Sequence, residues 1–399
     1  MNISHKFTEV MCCGCGACAG ICPANAIELK INKNGINIPF VINNLCIDCG
    51  KCLEVCPGID VDFDDLNNKV FGIMPNDLYL GHYLTCYKGY SQDSELRYNC
   101  SSGGLVTALL CSFIDSHKID AAVVTKYTYG DRIRTESYVA RTKDDILSAR
   151  GSKYAPVALN KVIKELRATN EKTAIVCLPC HTIAIRKLMN IDSKLKENIK
   201  YIFTLFCGLC PSYKAMDYFL RKLRIKQREV KEFCNRGSGW PGLTKVLTKD
   251  GKELKFSALQ IWSEIFGSGY FTPLSCYCCY DFFGEFSDLS FGDAWLPECI
   301  NENNGMSVVV ARTAKGEEAL KEAITSNIIS LEEIDSAKIK DAFSANLRLK
   351  KQSYKIHQKL VRNCYRIIQK NMNYQFGSKD YLFEIKRLLK IKLGKLIFS

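Results

Sequence analysis

Two runs of four cysteines near the start of the chain carry its clearest chemistry. Both runs have the spacing C-x-x-C-x-x-C-x-x-x-C-P, and Pro23 and Pro57 close them. Their members are Cys12, Cys15, Cys18 and Cys22, then Cys46, Cys49, Cys52 and Cys56. A cubane iron–sulfur cluster takes four thiolates, and three cysteines at this spacing wrap closely around three of its irons. Structural zinc also uses C-x-x-C ligands, but it needs two pairs rather than two runs of four. The spacing therefore predicts two 4Fe-4S clusters.

The double run is the pattern of bacterial two-cluster ferredoxins, in which the last cysteine of each run ligates the other cluster. We therefore assign one cluster to Cys12, Cys15, Cys18 and Cys56, and the other to Cys46, Cys49, Cys52 and Cys22. Gly14, Gly16 and Gly50 let the backbone approach the sulfurs and aim N–H groups at them. Cys13 falls outside the pattern and is predicted to be a spare thiol.

Four later cysteines stand where predicted core strands end. Cys180 and Cys207 each follow a buried strand, and Cys276 and Cys279 form a C-x-x-C pair. Because strand ends in an α/β sheet share an edge, these four thiols are placed to converge on a third cluster. The alternative is a set of buried, inert thiols. His181, beside Cys180, is the one histidine next to these residues, and the simpler interpretation is a residue at a helix start.

Two small polar loops precede predicted helices. Cys100 and the residues Ser101, Ser102, Gly103 and Gly104 open one helix, and Gly151, Ser152, Lys153 and Tyr154 precede another. Free N–H groups at such an end form a cradle for a phosphate or for the polar edge of a flavin, or serve as an ordinary N-cap. Lys153 and Arg236 lie in glycine-rich loops, which predicts that one or the other contacts an anionic part of a cofactor or substrate. The alternative is that both are surface cations.

The elements that would position these residues follow from periodicity. Helices are predicted at 105–114, 155–167, 181–189 and 213–223, and strands at 121–125, 173–178 and 201–206. A hairpin joins 243–248 to 253–256, and a last strand and helix begin at Ser307. Residues between Cys56 and about Tyr83 are expected to form a linker with short ordered pieces. The fold class is α/β (α+β), with mixed strand directions in the body.

The composition of the chain bears on its binding partners and its location in the cell. The chain has 399 residues, 22 cysteines and a net charge of +13. Residues 346–399 hold 14 Lys and Arg against Asp380 and Glu384, so the remainder is nearly neutral and a nucleic-acid groove is disfavoured. No signal peptide precedes Cys12 and no apolar run is long enough to span a membrane, which predicts a reduced, cytoplasmic protein.

The basic segment is predicted to form two amphipathic helices, before and after Gly377. Such helices dock on an anionic membrane surface or on an acidic partner such as ferredoxin. For a cytoplasmic protein the surface would be the inner face of the membrane. The alternative is a solvated face packed on the body. The expected domains are a ferredoxin-type domain at 1–70, a body at 80–345 divided near residue 165, and the basic helical tail at 346–399.

Taken together, these segments resemble the beta subunits of coenzyme F420-reducing hydrogenases and related dehydrogenases. The resemblance covers about residues 12–324 and is carried by the cysteine runs, SSGG, GSKY, LPCH, FCG, RGSGWPG and FTPLSCYCCYDFFGEFSDLSFGDAW. Family members carry FAD and iron–sulfur clusters. The resemblance implies that residues 101–104 and 151–154 line the flavin, and that Cys180, Cys207, Cys276 and Cys279 hold a third 4Fe-4S cluster beside it. Lys153 and His181 are the candidate catalytic residues, and His181 stands where Gln is common.

The expected function is a flavin- and iron–sulfur-dependent oxidoreductase. It would move electrons between ferredoxin, or a partner redox subunit, and a two-electron acceptor, which the resemblance implies is coenzyme F420. The alternatives are a ferredoxin-dependent reductase of another small molecule, for example in a cell-surface polysaccharide pathway, and a non-catalytic electron-transfer subunit of a larger hydrogenase or dehydrogenase. A flavin links the two halves of the reaction because it exchanges electrons singly or in pairs.

Overall fold

The N-terminal domain is built from short elements around the cysteine runs. The computed structural model describes residues 1–8, 10–360, 367–368 and 378–397. The elements of this domain are α1 (Ala17–Ile21), β1 (Ile27–Ile31), β2 (Asn37–Val41), α2 (Lys51–Glu54), β3 (Val61–Asp62) and α3 (Phe63–Phe71). Strands β1 and β2 form an antiparallel hairpin. Gly16 and Gly50 adopt left-handed conformations at the starts of α1 and α2, which only glycine tolerates easily.

The body is organised by one large mixed sheet and one small antiparallel sheet. Its strands are β4 (Thr85–Ser91), β5 (Ala121–Thr128), β6 (Arg134–Ala140), β7 (Thr173–Cys177), β8 (Ile199–Leu205), β9 (Val230–Cys234), β10 (Leu243–Thr248), β11 (Glu253–Ser257), β12 (Leu289–Asp293), β13 (Ser307–Ala311) and β14 (Ile329–Glu333). The large sheet has the order β14-β4-β13-β12-β8-β7-β5-β6, and the small one β11-β10-β9. Strands β5, β7, β8 and β12 run parallel, and the outer pairs are antiparallel. Mixed strand directions are thereby confirmed.

Helices cover the sheets and connect the strands. They are α4 (Ser94–Asn99), α5 (Leu105–Asp115), α6 (Lys143–Ser148), α7 (Asn160–Ala168), α8 (Pro179–Ile191), α9 (Ser193–Asn198), α10 (Tyr213–Lys222), α11 (Ala258–Ser268), α12 (Leu274–Cys278), α13 (Ala314–Thr325), α14 (Ser336–Ala342), α15 (Ser344–Leu347), α16 (Tyr354–Leu360) and α17 (Ser378–Ile397). A π-helix over Arg348–Gln352 separates α15 from α16, and β15 (Ile367–Ile368) pairs with β3. The helix at 105–114, the strands at 121–125, 173–178 and 201–206, and the hairpin are confirmed within a few residues.

One expectation about local structure is wrong, and a second is incomplete. The helix expected from residue 155 begins at Asn160, because the preceding segment is held outside a helix: the Leu159 N–H donates to the Cys15 carbonyl at 2.8 Å. The segment expected to be a linker contains α3. Its first residue, Phe63, is fully buried against the rings of Tyr280 and Phe286, so this helix belongs to the core.

The N-terminal domain packs directly on the body. Ala17 and Ile21 of α1 share a buried apolar cluster with Val162, Ile163 and Ile185 of α7 and α8. A Cβ built on Gly20 would lie 2.7 Å from the Ile163 Cβ, so α1 and α7 approach as closely as a missing side chain allows. This contact fixes the first cysteine run against the end of the body's sheet.

The C-terminal segment is partly a core element. Lys350, Lys351 and Tyr354 are at most 1% exposed, and Glu384 of α17 is 1% exposed. Glu384 Oε2 lies 2.7 Å from His357 Nε2, which joins α17 to α16. Much of the first predicted amphipathic helix lies outside the described residues, at 361–366 and 369–377. Among the described residues, no helix is long and apolar enough to cross a membrane.

Candidate iron–sulfur and cofactor sites

The first predicted quartet surrounds a cavity in the N-terminal domain. Cys12, Cys15, Cys18 and Cys56 all line it. Cys18 lies on α1 and interacts with the other three, and Cys56 follows α2 and interacts with Cys15. Burial raises the pKa of Cys56 to about 11, so without a metal this thiol is protonated at neutral pH. Four thiols around an enclosed space fit a cubane, whose binding would displace their protons.

The second predicted quartet lies nearer the surface. Cys52 of α2 is close to Cys49 and Cys22. The Cys22 sulfur accepts the Ala26 N–H at 3.3 Å, and the Cys46 sulfur accepts the Asn2 side-chain amide at 3.3 Å. Cys49 is exposed. These N–H groups would stabilise the reduced, more negative state of a cluster bound here.

The third predicted set converges at one end of the parallel strands. Cys180 begins α8 after β7, Cys207 follows β8, and Cys276 and Cys279 lie in and just after α12. All four line a single cavity. Cys180 interacts with Cys207 and Cys279, and Cys207 interacts with Cys276. Parallel neighbours β7 and β8 bring the first two together because their carboxyl ends share an edge.

Other cysteines near this cavity have different surroundings. Cys210 lines it, but its thiol donates to the Ala155 carbonyl at 3.4 Å. Cys278 is fully buried in an apolar cluster with Ile183 and Phe286. Within the described residues, no three His, Cys, Asp or Glu side chains converge closely enough to hold a single metal ion.

Cys13, expected to be a spare thiol, stands between two of these sites. It lines both the cavity of the first quartet and the cavity of the third set. It interacts with Cys15 on one side and Cys180 on the other. The spacing of the run could not show this, because the neighbour that matters belongs to α8.

Lys350 is the residue at this site that sequence reasoning missed. Its ammonium donates to the Cys276 carbonyl at 2.6 Å and is surrounded by the third set of thiols. In the sequence it is one of many cations in a basic segment, and nothing in its neighbours distinguishes it. Asp281 and His181 also line the cavity. Burial lowers the pKa of His181 to about 4, so its ring is neutral at neutral pH.

The two predicted flavin loops are brought together by the loop that contains Arg236. The Ser152 N–H donates to Ser101 Oγ at 2.8 Å, and Arg236 Nη2 donates to the Ser101 carbonyl at 2.7 Å. Arg236 Nη1 also pairs with Asp293, at 2.6 Å, and lies 3.4 Å from the Tyr154 hydroxyl. Arg236 thus holds both loops to the end of β12.

Several polar groups of these loops already have protein partners. Ser102 Oγ donates to the Met306 carbonyl at 2.7 Å, and the Gly103 N–H donates to Ser307 Oγ at 2.9 Å. The Lys153 ammonium donates to the carbonyls of Arg150 and Gly151, at 2.9 and 3.0 Å, and also to that of Ala149. Burial lowers the pKa of Lys153 to about 8.

One feature of this corner fits an anionic group. Helix α5 begins after Gly104 without a side-chain cap, so its first N–H groups donate no hydrogen bond to a capping side chain. Arg150 and Lys153 act on the nearby Cys100 and lower its pKa against the larger, opposite effect of burial. Two cations beside an uncapped helix start suit a diphosphate, such as the one in FAD.

Family comparisons cover most of the chain. Two family models, for the N-terminal and the C-terminal parts of the coenzyme F420 hydrogenase/dehydrogenase beta subunit, match residues 86–164 and 170–337 respectively. Residues 11–60 match a 4Fe-4S dicluster domain. The third predicted cysteine set and both predicted flavin loops lie inside the two beta-subunit matches.

Individual relatives are distant. The coenzyme F420-dependent sulfite reductase of Methanocaldococcus jannaschii is 29% identical over 279 residues, which is 66% of this chain but only 40% of that protein. The coenzyme F420 hydrogenase subunit beta of Methanothermobacter thermautotrophicus is 27% identical over 270 residues, covering 65% of this chain and 88% of the relative. A chain of the F420-reducing NiFe hydrogenase complex from Methanosarcina barkeri has a TM-score of 0.56 at 21% identity, covering 73% and 98% of the two chains, and therefore shares the fold.

Proposed function

Since the chain belongs to the coenzyme F420 hydrogenase/dehydrogenase beta-subunit family and carries a 4Fe-4S dicluster domain, we propose that it is an iron–sulfur flavoenzyme. It passes electrons between a one-electron carrier and a two-electron acceptor. The proposed groups are two N-terminal 4Fe-4S clusters, a third cluster on Cys180, Cys207, Cys276 and Cys279, and FAD. The acceptor proposed is coenzyme F420, after the names of two relatives.

The observation that carries the proposal is the position of Cys13. Because this residue lines both cavities, as Met11 and Pro57 also do, the first N-terminal site and the third site are neighbours. Cys49 is exposed at the second site. The order we propose is therefore entry at the second N-terminal cluster, transfer to the first, and transfer past Cys13 into the body. Neighbouring iron–sulfur clusters in such a row would transfer electrons from one to the next.

FAD is proposed to bind beside the two loops that Arg236 joins. When bound, FAD would supply the exchange between single electrons and electron pairs. Its diphosphate is proposed to lie at the start of α5, and Arg236 is proposed to hold Ser101 and Tyr154 in place through its hydrogen bonds. His181, neutral and 2% exposed, is proposed to exclude water from the third site.

The tail is proposed to make a peripheral contact with an anionic membrane surface. On α17, Leu382, Phe383, Ile385 and Leu389 are between 39% and 58% exposed. Lys386 and Lys390 are exposed on the same helix. An apolar face bordered by lysines is the pattern of helices that lie in a membrane interface.

Anaerobic purification with cofactor extraction tests the main proposal. We expect about twelve irons per chain, four from each cluster, together with one extractable flavin. Reduced ferredoxin should then drive reduction of coenzyme F420 by the purified chain. Reduction of another acceptor in place of F420 would favour the alternative small-molecule reductase. Loaded protein that reduces no acceptor until a partner subunit is added would favour the electron-transfer subunit. A colourless preparation would refute all three.

A further inference from the structure

Lys350 is a buried cation that has no carboxylate partner within the described residues. It lies in the π-helix between α15 and α16 and is 1% exposed. Its ammonium donates to the Cys276 carbonyl at 2.6 Å. The next residue, Lys351, is equally buried but pairs with Glu285, whereas no salt bridge within 4.0 Å joins Lys350 to a carboxylate in the part of the chain described. A buried charge without a counter-ion is strongly unfavourable, so this cation requires an anion.

The groups around Lys350 identify that anion. Its side chain lines the same cavity as Cys180, Cys207, Cys276 and Cys279, and its ammonium donates to the Cys276 carbonyl. These are the four proposed ligands of the third cluster. The other titratable groups lining the cavity do not replace them: the imidazole of His181 supplies no negative charge, and Asp281 already accepts the N–H groups of Gly284 and Glu285, at 2.7 and 2.9 Å.

We propose that Lys350 is the counter-cation of the third cluster and raises its reduction potential. The inference rests on the proposed function, since it requires that the four cysteines bind a cluster. A cubane with four thiolates is an anion, and reduction adds one more negative charge to it. A fixed positive charge in a water-poor site stabilises the reduced form more than the oxidised form. The third cluster then draws electrons from the N-terminal domain toward the body. Lys350 lies in the C-terminal segment, beyond residue 337, where the family match ends.

Two substitutions separate the charge from the hydrogen bond. Lys350→Gln keeps a donor for the Cys276 carbonyl but removes the charge, and Lys350→Arg keeps the charge. Lys338→Gln, which removes an exposed lysine that pairs with Glu298 at 2.9 Å, is the control for net charge. Each holoprotein is titrated anaerobically, and the third cluster is followed by the electron paramagnetic resonance signal that is absent from Cys276→Ser.

We expect Lys350→Gln to keep its iron and to lower the ratio of reduced to oxidised third cluster at least tenfold at a fixed potential, which is about 59 mV for one electron. Lys350→Arg and Lys338→Gln should titrate like the parent protein. An unchanged midpoint in Lys350→Gln would overturn the inference while leaving the proposed function intact. Loss of that cluster's iron from Lys350→Gln would also overturn it, because Lys350 would then retain the cluster rather than set its potential. A parent protein with only about eight irons would instead refute the third cluster itself.

Discussion

Cys276 and Cys278 are two residues apart but lie in different surroundings. Cys276 lines the third cavity beside Lys350, whereas Cys278 is fully buried among Ile183 and Phe286. Because only a thiol that faces the cavity can reach iron there, we expect Cys276→Ser to lose about four irons per chain. Cys278→Ser should keep its iron. Iron and acid-labile sulfide measured after anaerobic purification give the comparison, and equal iron in both variants would contradict the proposed ligand set.

Lys153 predicts a pH dependence of stability. Its pKa is lowered to about 8 in the folded protein, from an ordinary value near 10.5. Between these values the unfolded chain binds more protons than the folded one, so stability rises as the pH rises from about 8 to about 10.5. Burial of the charged ammonium is the main cause of the shift.

Comparison of the parent protein with Lys153→Met isolates this effect. Both proteins contain the other lysines and tyrosines that titrate in the same range, so their contributions cancel in the difference. We expect the apparent unfolding temperature of the parent to rise relative to that of Lys153→Met between pH 8 and pH 10. A constant difference across this range would show that Lys153 is charged throughout.

Individual residues differ in how far the sequence determines them. The eight N-terminal cysteines are spaced by ligand geometry, so local sequence is enough to group them. The third set needs parallel strand order as well, which periodicity predicts only as a class of fold. Lys350 and the position of Cys13 depend on which distant elements pack together, and no local pattern encodes that. The ammonium of Lys153, predicted to contact a cofactor, is bonded to backbone carbonyls instead, and its role at the flavin stays a prediction.

At the scale of elements, the contact between α1 and α7 controls how the N-terminal domain sits on the body. Gly20→Ala would place a methyl group 2.7 Å from the Ile163 Cβ. Overpacking of this kind costs about 1–3 kcal/mol, so the apparent unfolding temperature of this 399-residue chain should fall by about 1–4 °C. Electron transfer from ferredoxin should slow as well, because the clusters move apart.

Gly267→Ala is the matched control for this prediction. Gly267 is also helical, in α11, but nothing lies within 4 Å of its added Cβ. Replacing an unhindered helical glycine by alanine stabilises by about 0.5–1 kcal/mol, so the two variants should shift the unfolding temperature in opposite directions. A stabilising Gly20→Ala would show that α1 and α7 are not closely packed.

Elements with strong periodicity could be predicted from the sequence. The predictions that failed concern segments whose structure is set by tertiary contacts. Strands β5, β7 and β8 are mostly apolar and rich in β-branched and aromatic residues, so their type is set locally. Residues 155–159 have helical periodicity, but Leu159 hydrogen-bonds to Cys15 of another domain. Helix α3 begins within an acidic stretch that resembles a linker, and only the burial of Phe63 against Tyr280 and Phe286 shows that it is structural.

The whole molecule divides its basic C-terminal segment between two surroundings. Lys350 and Lys351 enter the core, whereas Lys386 and Lys390 remain exposed on α17. The net charge along the sequence locates the basic segment. It cannot show which lysines are buried, because that depends on the anionic groups that pack against each of them in the fold. Removal of the whole segment from residue 346 would therefore disrupt the core, and the membrane contact has to be tested by substitutions in α17.

The double substitution Leu382→Glu and Leu389→Glu tests whether α17 contacts the membrane. Both side chains are more than half exposed, at 53% and 58%, so the change should leave the fold intact. Burying a leucine in an apolar phase contributes about 1.5–3 kcal/mol, so loss of both should weaken binding to anionic vesicles more than tenfold.

The control variant is Ile300→Glu, at a residue 79% exposed and outside α17, and it should bind like the parent protein. Sedimentation with phosphatidylserine vesicles measures the bound fraction, and equal binding by the double variant would exclude α17 as the membrane contact. Binding to ferredoxin that is lost only in the double variant would instead assign this face to the acidic protein partner.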